Sequence, residues 1–334
     1  MSLARSLRMW APHSRTLRLR PSAPLLQQRL CQLSTSPHPQ PLSLDNYIQE
    51  VRPLLKPPVA NRMIYNEQLQ VMVVGGPNQR KDYHINEGEE IFYQLEGGME
   101  LKILERGVHR TVVIPEGHMF ILPSRIPHSP QRFENTIGMV VERLRHKHEA
   151  DGLRYFVGDS TKVLYEEYFH CKDLGSELVP VIERFFASEA YRTNIPGPDM
   201  PVAAPPVTID SDTTVTAMPF DWSQFLVDLR GSSAPQAAGG KDGVLVPAAL
   251  AGAEFNINIA FGAYKGTIQP RRVGKASDTF LWQVRGQSAV QEHDGAAVEL
   301  NQGDIHLVMS GEEVSVNQSG GDSCVIAVTN NAFE

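Results

Sequence analysis

Cysteine is scarce in this chain of 334 residues: there are three, Cys31, Cys171 and Cys324, far apart and odd in number. That excludes a disulfide framework and any Cys-x-x-Cys metal site, and it fits a reducing compartment. Positive charge is also in deficit, with 31 lysines and arginines against 38 acids and a net charge of −7. Lacking a broad basic field, the chain is poorly suited to nucleic acid or an anionic membrane as its main partner, and a small molecule is the better expectation. No apolar run reaches the length needed to cross a bilayer. What is present is 41% apolar residues, enough to bury a substantial core and, at this length, to build two domains.

Acids are absent from one end. The first forty residues hold six arginines and many serines and leucines, and no acid occurs before Asp45. This is the composition of a mitochondrial transit peptide, and the stretch RLCQLSTS at 29–36 suits processing after an arginine. Residues 1–44 are therefore expected to be a mitochondrial leader or a disordered one.

From about Asn61 onward, short runs such as LQVMVVGG, EIFYQLEGG, MELKILERG and IGMVVERL are rich in Val, Ile, Leu and aromatics and close on Gly or Pro. They read as strands of an antiparallel sandwich or barrel. The period changes at SELVPVIERFFASEAYRT, where Leu178, Val181, Ile182, Phe185 and Phe186 recur at helical spacing after Ser176, a candidate cap. A Pro-rich stretch over 194–212 reads as a linker. Beyond it the strands return and repeat the first half. EIFYQLEG at 90–97 matches TFLWQVRG at 279–286, and PEGHMFILPSRIPHS at 115–129 matches NQGDIHLVMSGEEVS at 301–315. The offsets are 189 and 186 residues (279 less 90, 301 less 115), with Gly97/Gly286 and Gly117/Gly303 at matching turns. The expected architecture is all-β: one β domain over 45–193 ending in a helix, the linker, and a second copy over 213–334.

Polar residues that serve only the fold should recur in both copies. His84, Glu90 and His128 do not: Val273, Thr279 and Val314 take their places. Singly, His84 also reads as a surface histidine, and Glu90 with Glu87 and Glu89 as a solvated acidic turn. Their joint placement and joint loss favour a metal site, since two imidazoles and a carboxylate leave open positions on a non-haem ferrous ion for O2 and a chelating substrate.

The spacing His84-x5-Glu90-x6-Gly97 and Gly117-x5-Pro123-x4-His128 resembles the two motifs of the cupin superfamily. Asp82 stands where many cupins carry a further histidine, and Arg125 replaces a common glycine. Within the cupins, GGPNQRKDYHINEGEEIFYQLEG, LPSRIPHSPQRF and DGLRYFVGD resemble the 3-hydroxyanthranilate 3,4-dioxygenase family over roughly residues 58–196. The second half is similar to the degenerate cupin copy of that family's animal-type, two-domain form. The four-cysteine iron site of bacterial relatives is lacking.

The resemblance implies two cupin-type β-barrels, the second without metal ligands, joined by an α-helix. It implies Fe(II) held by His84, Glu90 and His128, and substrate contacts from Arg80, Arg132, Glu142, Glu90 and Asn61. Arg80 would also lie beside O2, and Arg80 and Glu142 would be catalytic, with Glu142 relaying the phenolic proton. The bare residues also fit an exposed turn for Arg80, a surface loop for Arg132, and a salt bridge to Arg143 or Arg145 for Glu142. The implied reaction opens the ring of 3-hydroxyanthranilate with O2, between the carbons carrying hydroxyl and carboxylate, to give 2-amino-3-carboxymuconate semialdehyde, the precursor of quinolinate and NAD. A non-catalytic metal-binding cupin that senses a small aromatic carboxylate is the alternative. The family also implies a cytoplasmic location as the alternative to the mitochondrial one, and a monomer in which the second domain mimics a dimer partner.

Overall fold

The computed structural model describes residues 40–57, 60–215, 218–231, 244–245, 250, 252–268, 277–291, 295, 297–309 and 314–330. Of the expected leader over 1–44, residues 1–39 lie outside the described residues, as does Val273, while its last residues belong to the fold: Leu42–Ser43 form a strand and Leu44 is buried at the start of a helix.

A short strand β1 (Leu42–Ser43) runs directly into helix α1 (Leu44–Val51). Ser43 caps it by accepting from the Asn46 amide, and Leu44, Tyr47, Ile48 and Val51 are buried at helical spacing. Twelve strands follow: β2 (Asn61–Asn66), β3 (Leu69–Gly75), β4 (Asn78–Gln79), β5 (Tyr83–Ile85), β6 (Glu90–Glu96), β7 (Met99–Glu105), β8 (Val108–Ile114), β9 (His118–Leu122), β10 (His128–Arg132), β11 (Ile137–Arg143), β12 (Asp151–Phe156) and β13 (Val163–Phe169). Helices α2 (Leu174–Ala187) and α3 (Glu189–Thr193) close this half. The second half contains β14 (Phe220–Asp221), α4 (Trp222–Gly231), β15 (Val244–Leu245), β16 (Phe255–Phe261), β17 (Lys265–Ile268), β18 (Thr279–Gln291), β19 (Ala297–Asn301), β20 (Asp304–Val308) and β21 (Val314–Asn330).

The fold is all-β and cupin-like, as expected, but its sheets are open jelly-roll faces and not closed barrels. In the first half a sheet ordered β13-β12-β5-β10-β7-β8 faces one ordered β14-β9-β6-β11-β3-β2. In the second half one sheet folds over itself, because β18 and β21 are long enough to serve both faces. Their pairing shifts register between Gln283 and Gln287, around Gly286 at φ +68°, a conformation that disfavours a side chain.

The internal repeat is written in the strand register. Glu90 faces Leu122 across β6 and β9, and Thr279 faces Val308 across β18 and β20, which are the same pair moved by 189 and 186 residues. Lys102 with Ser129 and Gln291 with Ser315 repeat the correspondence. The two halves also exchange their leading strands. Leu42 pairs with Ile305 of the second half, and Phe220 pairs with Met119 of the first. The amides that follow, Leu44 and Trp222, donate to the carbonyls of Gly303 and Gly117, both at 3.0 Å.

Period-two alternation decides what each strand offers to either side. In β6, Ile91 and Tyr93 join an apolar core shared by both halves, while Phe92 packs inside the first jelly roll. In β11, Met139 and Val141 face the shared core and Val140 faces inward. Glu90 and Glu142 keep the inward parity of Phe92 and Val140. The shared core brings Tyr93 against Trp282, its own counterpart in the repeat, at 4.8 Å between ring centroids.

Three readings of the sequence need correction here. Glu89 is not part of a solvated turn: it is 5% exposed, and its carboxylate accepts from the amides of Ala253, Glu254 and Phe255 in the second half. Ser176 is not a cap, since α2 begins two residues earlier and Ser176 lies within it. Residues 194–212 strap across the first half: Val207 is fully buried, Val202 N donates to Glu166, and Asp210 N donates to the carbonyl of Arg125.

Candidate metal centre and its pocket

Three strands bring the ligand set together. His84 of β5 and His128 of β10 are direct partners across the pair, and Glu90 opens β6 on the facing sheet. One ligand atom from each lies within 4.8 Å of the others, and all three residues are buried. Glu90 Oε1 stands 3.5 Å from His84 Nδ1 and 3.2 Å from His128 Nε2. Each imidazole has its other nitrogen engaged. His128 Nδ1 is 3.0 Å from the carbonyl of Ile126, and His84 Nε2 is 2.7 Å from Asp151 Oδ2. Both partners are acceptors, so these nitrogens carry the protons and the lone pairs of His84 Nδ1 and His128 Nε2 turn toward Glu90.

The electrostatics call for a cation at that point. Burial opposes charge on His84, yet the Asp151 and Glu90 carboxylates beside it lift its pKa to about 9. Burial likewise opposes the Glu90 carboxylate, but the two histidines hold it well below the ordinary range. The site thus favours a cation, a proton on His84 or a metal in its place; with that proton displaced, two nitrogens and one oxygen flanked by hydrogen-bonded outer partners fit a divalent transition metal. Among the described residues this is the one cluster with such geometry.

The same cavity is lined by every residue singled out from the sequence: Asn61, Arg80, His84, Glu90, His128, Arg132 and Glu142. Its apolar wall includes Met72, Val74, Phe92, Val140 and Leu178. Arg132, the inward residue four beyond His128, is 2% exposed and has no ion-pair partner among the described residues. It donates to the Gln94 side chain at 2.9 Å, and burial, with Arg80 nearby, lowers its pKa to about 10 despite Glu90. Arg80 is neutralised, its Nε donating to Asp82 at 2.9 Å. Asp82, at the position of a further cupin histidine, therefore holds an arginine in place of a metal. Asn61 donates to the Met72 sulfur at 3.7 Å.

Burial raises the Glu142 carboxyl, against the pull of Arg145. Arg145 Nη1 lies 2.5 Å from Glu142 Oε2, but without hydrogen-bond alignment, so that oxygen receives no hydrogen bond. A larger cavity of about 720 Å³ lies on the other side of Arg80, bounded by Tyr83, Tyr155, Phe156 and Tyr191, and contains none of the three ligands.

Asp151, Asn86 and Gln94 are polar partners to which the sequence did not point, whereas Arg145 is the salt-bridge partner of Glu142 that it offered as one of two. Asn86 donates to Glu90 at 2.9 Å. The one available signal was Asp151 itself, an acid opening the otherwise apolar strand DGLRYF.

Two imidazoles and a carboxylate on inward positions of a jelly roll define a metal-binding cupin. A family model described as 3-hydroxyanthranilic acid dioxygenase matches residues 38–186. The human 3-hydroxyanthranilate 3,4-dioxygenase is 43% identical over 290 residues, covering 86% of this chain and 95% of the human one. The rat enzyme of the same name is 44% identical over 267 residues, covering 80% and 88%. Among solved structures, oxalate decarboxylase from Bacillus subtilis aligns over 96% of this chain and 85% of its own, with TM-score 0.43 and 14% identity. The chain belongs to the 3-hydroxyanthranilate 3,4-dioxygenase family.

Proposed function

We propose that the protein is an Fe(II)-dependent dioxygenase that opens the ring of 3-hydroxyanthranilate with O2 to 2-amino-3-carboxymuconate semialdehyde, the precursor of quinolinate. The observation that carries this is the buried, ion-pair-free guanidinium of Arg132 in the same cavity as His84, Glu90 and His128. An unneutralised buried arginine is costly unless an anion completes it, and the substrate is a benzoate. The 3,4 designation places the cleaved bond between the hydroxyl-bearing carbon and its unsubstituted neighbour, which corrects the sequence-based assignment of a bond toward the carboxylate.

Each residue then has a task. Arg132 takes the substrate carboxylate through its planar fork, and Asn61 lines the pocket beside it. Arg80, held in place by Asp82, lines the cavity and is the residue assigned to lie beside O2, as a hydrogen-bond donor. Glu142, whose carboxyl is raised by burial and whose Oε2 accepts no hydrogen bond, removes the phenolic proton, which makes the ring electron-rich. Phe92, Val140 and Leu178 exclude water. When bound to His84, Glu90 and His128, the ferrous ion supplies Lewis-acid and redox chemistry toward the amino and hydroxyl groups and dioxygen. Both oxygen atoms enter the product, so substrate plus O2 balances with no further reductant.

The test is anaerobic reconstitution with Fe(II), then exposure to O2 and 3-hydroxyanthranilate with ultraviolet detection of the ring-opened product. Wild type forms it, and His84→Ala loses both iron and turnover. Iron and substrate bound without product would make the chain a non-catalytic cupin.

We further infer a functional monomer in which the second half covers the first as a partner subunit would. The contact of Tyr93 with its counterpart Trp282 and the exchanged strands β1 and β14 support this reading.

A further inference from the structure

We propose that Arg145 is a positioning residue for the reaction, one guanidinium aligning both the carboxylate that accepts the substrate proton and the carboxylate that orients a metal-ligating histidine. The inference rests on the reading above, in which Glu142 is the base and His84 a ligand.

Arg145 lies just beyond β11, three residues after Glu142, with a side chain 6% exposed. Its Nη1 is 2.5 Å from Glu142 Oε2 and donates to Gln70 Oε1 at 3.1 Å. Its Nη2 and Nε donate to the two oxygens of Asp151 at 2.9 and 3.2 Å. Asp151 is fully buried, and its Oδ2 also receives the 2.7 Å hydrogen bond from His84. An unbroken chain of contacts therefore runs Glu142–Arg145–Asp151–His84 around the wall of the cavity. Only a planar fork donates to Gln70 and Asp151 while setting its charge against Glu142, on three different strands at once; an ammonium supplies the charge without the fixed directions.

Neighbouring Arg143 shows the contrast. It pairs with Glu149 and Glu254 and lines no part of the cavity. A purely structural arginine would act as Arg143 does, lowering stability when lost and leaving the kinetics of the folded fraction alone.

The experiment measures kcat per bound iron, KM and iron affinity by chelator competition in iron-loaded full-length protein. For Arg145→Met we expect kcat per iron to fall about 100-fold, within the range a positioned base contributes, with KM within about threefold because Arg132 is untouched. Iron affinity should fall about 10- to 100-fold, as when an outer partner of a ligating histidine is lost. Asp151→Asn, which weakens the acceptor of His84 and keeps one side-chain oxygen for Arg145, should lower iron affinity by a similar factor with a smaller fall in kcat per iron than Arg145→Met. Arg145→Lys, which keeps the charge, guards against a misfolded methionine variant: it should restore folding and part of the iron affinity while kcat per iron stays about tenfold down. Arg143→Met should leave kcat per iron unchanged. Wild-type kcat per iron in folded Arg145→Met or Arg145→Lys would overturn the proposal. Absence of turnover in wild type would instead sink the dioxygenase reading.

Discussion

At the scale of single residues, the pocket assigns distinct kinetic parameters to Arg132 and Glu142. Arg132 is buried with only a neutral amide as partner, so its charge is complete only when an anion arrives. Arg132→Ala should keep iron and raise KM about 100-fold, the loss of a charge-assisted pair of about 3 kcal/mol, read from steady-state kinetics beside iron content. Glu142 acts later. Its carboxyl is raised by burial, with Glu90 and Asp151 adding to the rise and Arg145 and His84 opposing it. Proton removal needs the carboxylate, so kcat should fall as pH drops through this raised pKa, above the ordinary carboxylate range. Glu142→Gln should remove that acid limb and lower kcat about 10²- to 10⁴-fold while iron stays bound. A Gln variant that kept the limb would assign it to another group.

Strands and helices explain which of these residues could be found by reading alone. His84, Glu90 and His128 were legible because their spacing follows turn and strand lengths, and because the second copy fills Glu90 and His128 with Thr279 and Val314, both buried. Asp151 was not, since it meets His84 only when β12 pairs with β5, 67 residues away in sequence, and Arg145 was legible as a partner of Glu142 but not of Asp151. The helix α1 carried its signals, Ser43 at the cap and four apolar positions in register, yet eight residues is short for a periodicity to stand out. Composition misled at 194–212, where prolines resembled a free linker although Val207 is buried and the segment is tied to the first half. Glu89 misled in the opposite sense: acids on both sides of it suggested a solvated turn. Its carboxylate instead collects three amides at the start of β16. Glu89→Ala should therefore cost about 3 kcal/mol in chemical denaturation, because those donors lose their acceptor. A change below about 0.5 kcal/mol would mean that water replaces it.

Over the whole molecule, one pattern is used twice for different ends. The first copy lines one cavity with His84, Glu90, His128, Arg132 and Glu142; the second keeps the register, the turns and the outer face that packs on the first. The core they share includes Ile91, Tyr93 and Val141 from one and Phe280, Trp282 and Ile326 from the other. Because that face is already covered within the chain, light scattering should report a monomer, and a tight dimer would contradict the inferred role of the second half. The cavity holding His84, Glu90 and His128 is lined, among the described residues, by the first copy.

The proposed reaction inserts both atoms of dioxygen into a hydroxylated aminobenzoate. Simultaneous measurement of O2 uptake and 3-hydroxyanthranilate loss by the iron-loaded protein, without added reductant, tests it most directly. Equimolar consumption that stops when either is exhausted is the expected result. Substrate bound to the iron-loaded protein with no oxygen uptake would contradict it.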